Sequence, residues 1–94
     1  MHAITEERIA FHGEYDLGRR DEVREILSRV DGKCPIVLDV RDVRFADTSF
    51  FHELSRLKAA HPDCSIVISG ASRTMNKVLA ILSFDTLFTV VDDA

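Results

Sequence analysis

The chain has 94 residues, of which 46% are apolar and 30% charged, and its formal net charge is −4. This ordinary globular composition excludes a disordered chain and predicts one domain over residues 1–94 with a single core. The acidic balance argues against nucleic acid or an anionic membrane surface as a partner, and no apolar run nears the roughly 20 residues that cross a bilayer.

The first residues lack the basic start and apolar centre of a signal peptide, so a cytoplasmic protein is expected. Residues 1–12 predict one bent strand or a weak hairpin, with Ile4, Ile9 and Phe11 as its apolar positions. Residues 13–18 predict a turn-rich loop in which Glu14 and Asp16 satisfy backbone N–H groups. Over residues 19–30, Val23, Ile26, Leu27 and Val30 fall at i, i+3, i+4 and i+7, the stripe of an amphipathic helix. Gly32 stands just past its end. The β-branched run over 36–40 suits a strand buried on both faces. A helix is predicted over 49–60, with Phe50, Leu54 and Leu57 on one face, Phe51 beside them, and His52-Glu53 on a solvated face. Pro62 ends it. A second core strand over 65–69 is broken by Gly70. Ser72 caps a third helix carrying Met75, Val78, Leu79 and Leu82. Residues 87–91 predict the last strand, and Asp92-Asp93-Ala94 is a polar end. Strands alternating with helices predict an α/β fold, with a mostly parallel sheet of four to five strands and three helices.

In such sheets ligands and partners gather at the carboxyl ends of the strands. Asp39, Asp42 and Asp47-Thr48-Ser49 follow one strand there, and Gly70-Ala71-Ser72-Arg73 follows the next. Hydroxyls at a helix start sit over free N–H groups and the positive end of the helix dipole, where a phosphate is held with least cost. Plain helix capping accounts for the same residue types. No Gly-rich phosphate loop and no Ser-His-Asp or Cys-His pairing suggests catalysis, so neither an enzyme nor a cofactor is expected. His2, His12, His52 and His61 lack zinc spacing, so no metal is expected. Cys34-Pro35-Ile36-Val37 and Cys64-Ser65-Ile66-Val67 are alike. If their strands are parallel neighbours, the two sulfurs lie close together. Reduced thiols are the expectation for a cytosolic protein, and a redox bridge is the alternative.

The order of elements and these motifs resemble the STAS domain of bacterial anti-sigma-factor antagonists. Gly13-Glu14-Tyr15-Asp16 looks like the Gly-Glu-x-Asp after that family's early strand. Residues 36–45 look like its hydrophobic strand, and Asp47-Thr48-Ser49 is similar to its phosphorylation motif. The resemblance implies a STAS-like fold and a non-enzymatic partner-switching regulator of sigma factors. Thr48 would be the phosphoacceptor, with Ser49 as the alternative. Asp16, Asp42, Asp47, Thr48, Ser49, Phe50, Phe51 and Ser72 would form the surface that meets an anti-sigma kinase of the GHKL type. An alternative within the same fold is a constitutive STAS subunit on the ATPase of a bacterial phospholipid-type ABC transporter. A third reading is a small-molecule or nucleotide-binding domain using Gly70-Ala71-Ser72-Arg73. Two departures carry expectations of their own. Phe50-Phe51 replaces a usual Gly, which predicts that one ring is partly exposed as an interface anchor. The chain also stops where the family often adds a fourth helix, which favours a dimer or a permanent partner.

Overall fold

The computed structural model describes residues 7–31 and 33–91. Strand β1 spans Glu7–Tyr15, helix α1 Arg20–Ser28, strand β2 Ile36–Ala46 and helix α2 Thr48–Ala60. Strand β3 spans Ile66–Ser69, helix α3 Arg73–Ile81 and strand β4 Thr89–Val91. Short 3-10 turns at Leu17–Arg19 and Phe84–Thr86 lead into α1 and β4. The expectations for residues 1–6, Gly32 and 92–94 lie outside the described residues.

The sheet has four strands in the order β1-β2-β3-β4, and every neighbouring pair is parallel. Right-handed crossovers in sequential order set successive helices on the same face. The packing agrees. Val23 and Leu27 of α1, Phe50, Leu54 and Leu57 of α2, and Met75 and Leu79 of α3 share one core with Phe11, Ile36, Leu38, Ile66 and Ile68 of the strands. These strand residues have a single parity, because successive side chains on a strand point to opposite faces. Asp39 stands on the other face, 3.3 Å from the Arg41 guanidinium and 3.7 Å from that of Arg8. The backbone N–H of Arg41 leads in holding its carboxyl below the ordinary value.

Two elements are longer than their local sequence predicts. β2 continues past Val40 to Ala46, and β1 continues through the expected loop to Tyr15. The two extensions pair with each other, His12 with Asp42 and Tyr15 with Ala46. Between Ala10 and Glu14 the register shifts twice, and each time β2 carries the extra residue. Gly13 sits at the second shift with φ of 87°, a left-handed conformation that glycine adopts without steric cost. Tertiary pairing thus supplies hydrogen bonds to a segment whose Gly and Asp content favours a turn.

Cys34 and Cys64 are joined in a disulfide, against the expectation of separate reduced thiols. The cause is the register. Ile36 pairs with Ile66, so the residues two positions earlier face each other across the strand starts, with Cα atoms 5.5 Å apart. That separation lies within the usual disulfide range.

Phe50 and Phe51 are both buried, at 1% and 3% exposure, which corrects the expectation of an exposed ring. Phe50 packs against Phe11, Tyr15 and Phe51, and Phe51 also meets Phe84. The two neighbours on α2 diverge by about 100° around the helix axis, so one ring faces β1 and the other the Phe84 turn. Glu53 corrects a second expectation, since it is 2% exposed and does not lie on a solvated face. Its carboxylate accepts two hydrogen bonds from the Arg24 guanidinium, at 3.2 and 3.0 Å. This forked ion pair ties α1 to α2 and holds Glu53 below its ordinary pKa.

Candidate functional site

The carboxyl ends of β1 and β2 meet the start of α2. Asp47 is the N-cap of that helix, in an extended conformation, and accepts a hydrogen bond from the Ser49 N–H at 2.9 Å. The Ser49 hydroxyl donates to the same oxygen in a short contact. Behind it, the Asp47 N–H donates to the Tyr15 carbonyl at 3.0 Å, which fixes the junction to β1. The Ser49 hydroxyl, followed by the backbone N–H groups of Ser49, Phe50 and Leu17, holds the Asp47 carboxyl below its ordinary value. Asp47 is therefore an anion committed to capping.

That arrangement separates the two hydroxyls. Ser49 is half-buried and its hydroxyl is engaged with Asp47. Thr48 is the first residue of α2 and is exposed, and its hydroxyl has no hydrogen bond to another described residue. An acceptor for phosphoryl transfer needs an accessible oxygen, and of the pair Thr48 has it. A phosphate placed there lies within the first helical turn, where the dipole favours negative charge, although the Asp47 carboxylate next to it opposes this.

The other predicted surface residues divide. Asp16 immediately precedes Leu17, whose N–H points at Asp47, so Asp16 borders the site. Its own side chain is exposed and does not cap the turn it precedes. Ser72 accepts a hydrogen bond from the Met75 N–H at 3.0 Å as the N-cap of α3. It borders a groove that also touches Ala46 and Phe51, so it too lies beside the site. Asp42 does not. It sits four residues before the end of β2, roughly 13 Å from Ala46 at about 3.3 Å per residue, and its near neighbour is His12 at 3.5 Å. Phe50 and Phe51 support the site from beneath and do not reach its surface.

Among the residues that local reading missed, Tyr15 closes the site from the β1 side. Its hydroxyl accepts a hydrogen bond from the His12 N–H at 2.9 Å, and the Arg19 guanidinium lies 4.2 Å over its ring. Glu53 carried a legible signal. Positions 50, 53, 54 and 57 are themselves i, i+3, i+4 and i+7, so a carboxylate within that stripe marks a buried ion pair. Among the described residues no cluster of His, Cys, Asp and Glu could hold a metal ion, and no helix is long and apolar enough to cross a membrane.

No family model and no curated protein matches the chain. Solved structures do. A sulfate transporter family protein from Wolinella succinogenes superposes with a TM-score of 0.77 at 19% identity, covering 99% of this chain and 80% of its own. The anti-sigma factor antagonist SpoIIAA in its unphosphorylated form superposes with a TM-score of 0.69 at 21% identity, covering 100% of this chain and 86% of its own. The STAS domain of a SulP transporter from Vibrio cholerae gives 0.70 at 14%, covering 96% and 75%. The chain has the STAS fold, the α/β architecture shared by these regulatory and transporter-associated domains.

Proposed function

We propose that residues 1–94 form a single, non-enzymatic interaction domain that binds a protein partner through the surface around Thr48. Phosphorylation of Thr48 releases that partner. The observation that carries this reading is the division of labour at the start of α2. Ser49 and Asp47 are consumed by the cap, while Thr48 presents an exposed hydroxyl with no partner among the described residues. A phosphate adds about −1.5 to −2 charges beside Asp47, so a docked surface meets repulsion and desolvation while the helix beneath stays intact. The similarity to an anti-sigma factor antagonist favours an anti-sigma kinase of the GHKL type as that partner.

The test is affinity capture from the source cell with wild type and Thr48→Glu in parallel, with partners and phosphosites identified by mass spectrometry. Recovery of a GHKL-type kinase by wild type alone, with phosphate on Thr48, is the expected result. Equal recovery of one partner by both proteins, with Thr48 unmodified, would sink the switch.

The similarity to two transporter-associated proteins supports a second reading, a constitutive subunit on a transport ATPase of the ABC type. In that reading Thr48 is only the first residue of a helix. A transport ATPase recovered equally with wild type and Thr48→Glu would support it, and failure to recover one with either protein would count against it.

A further inference from the structure

A groove of about 270 Å³ opens between the end of β2 and the first turns of α3. Phe51 and Met75, both buried, line its interior, with Val43 and Val78 beside them. Phe45 forms an outer wall and leaves 52% of its surface exposed. A half-exposed aromatic ring that continues an apolar recess gives a ligand contiguous apolar surface to cover. Arg44, also part of the lining, is exposed and makes no ion pair with another described residue. An apolar recess is thus bordered by a cation with no counterion.

We propose that this groove binds a small amphiphilic carboxylate, its hydrocarbon tail against Phe45, Phe51 and Met75 and its head on the Arg44 guanidinium. Size and charge both select this chemistry. A cavity of about 150 Å³ accommodates benzene, with six carbons. By proportion, about 270 Å³ corresponds to roughly eleven carbons, so a tail of about eight carbons fits within it. A planar guanidinium pairs with a carboxylate through two parallel hydrogen bonds, a geometry an alcohol cannot match. The proposal rests on the groove lining alone and not on the proposed switch.

The probes are sodium octanoate and 1-octanol, titrated into the purified protein and followed by amide chemical shifts. Octanoate is expected to move the amides of Val43, Phe45, Phe51, Met75 and Val78 saturably, at least tenfold more tightly than octanol. Arg44→Gln, an exposed substitution that leaves the fold intact, is expected to bring octanoate down to the affinity of octanol. Phe45→Ala is expected to weaken both. No saturable shift below about 10 mM, where binding free energy falls under roughly 3 kcal/mol, overturns the proposal. So do shifts confined to the exposed Ile81, Leu82 and Leu87, or equal binding of both probes that Arg44→Gln leaves unchanged.

Discussion

Reducing the Cys34–Cys64 bridge should lower stability by an amount that follows from the size of the loop it closes. The two cysteines are 30 positions apart. Cross-linking removes unfolded-state entropy of about 2.1 + 1.5R ln n cal/mol/K, or near 12 cal/mol/K for a loop of that length. At room temperature this is about 3.6 kcal/mol. For a domain of this size each kcal/mol moves the midpoint by roughly 4–8 °C, so reduction is expected to lower Tm by about 15–30 °C. The loop contains β2, α2 and the Asp47-Thr48-Ser49 cap, so loss of the bridge loosens the segment that carries Thr48. The assay is thermal unfolding followed by far-ultraviolet circular dichroism, with and without a phosphine reductant, and with Cys34→Ser/Cys64→Ser as the reductant-insensitive control. Thiol titration under denaturing conditions should find none before reduction and two after. Two titratable thiols in the protein purified without reductant would refute the bridge. A Tm change under about 5 °C would refute the loop-entropy reasoning even if the bridge is present.

Four further outcomes follow from the packing. Glu53→Gln leaves Arg24 and Arg56 without the carboxylate they face, and is expected to cost about 2 kcal/mol because Arg24 can return partly to water. A urea midpoint indistinguishable from wild type would contradict that role. Thr48→Glu places an acid in the first turn of α2, at a site where surface substitutions shift stability by about 0.5 kcal/mol or less. A large Tm loss in this variant would show that Thr48 is structural. Gly70 has φ of 82°, and a Cβ there would stand 2.8 Å from the Cβ of Arg41. Gly70→Ala is therefore expected to destabilise by about 1–3 kcal/mol, measured by chemical denaturation, and a neutral result would count against the close approach of β3 to β2. Asp39, Asp47 and Glu53 are all held below their ordinary values. Their contribution is complete above the ordinary carboxylate range and is lost as pH falls through the lowered native values. Stability should thus be flat near neutrality and decline below about pH 4.5, and a midpoint that rises on acidification from pH 5 to 3 would reverse the sign.

Periodicity in the sequence was sufficient for the three helices, the two buried strands and their order, because each depends on local spacing of apolar residues. The stripe Val23, Ile26 and Leu27 turns to one side only as a helix, although Val30 reaches the core from just beyond the end of α1, and Ser72 caps a helix wherever that helix packs. The candidate site was legible for the same reason, since Asp47-Thr48-Ser49 marks a helix start in the chain itself. Other features depend on partners distant in sequence. The segment from Gly13 to Tyr15 reads as part of a turn by composition, and becomes strand because β2 extends beside it. The pairing of Cys34 with Cys64 follows from the β2–β3 register, and two consecutive Phe side chains are buried because α2 is enclosed on two sides. Which hydroxyl remains accessible was likewise decided by geometry, because the cap bond from Ser49 to Asp47 leaves Thr48 facing solvent. Local sequence sets what each segment can become, and contacts across the fold choose among those states where the local preference is weak.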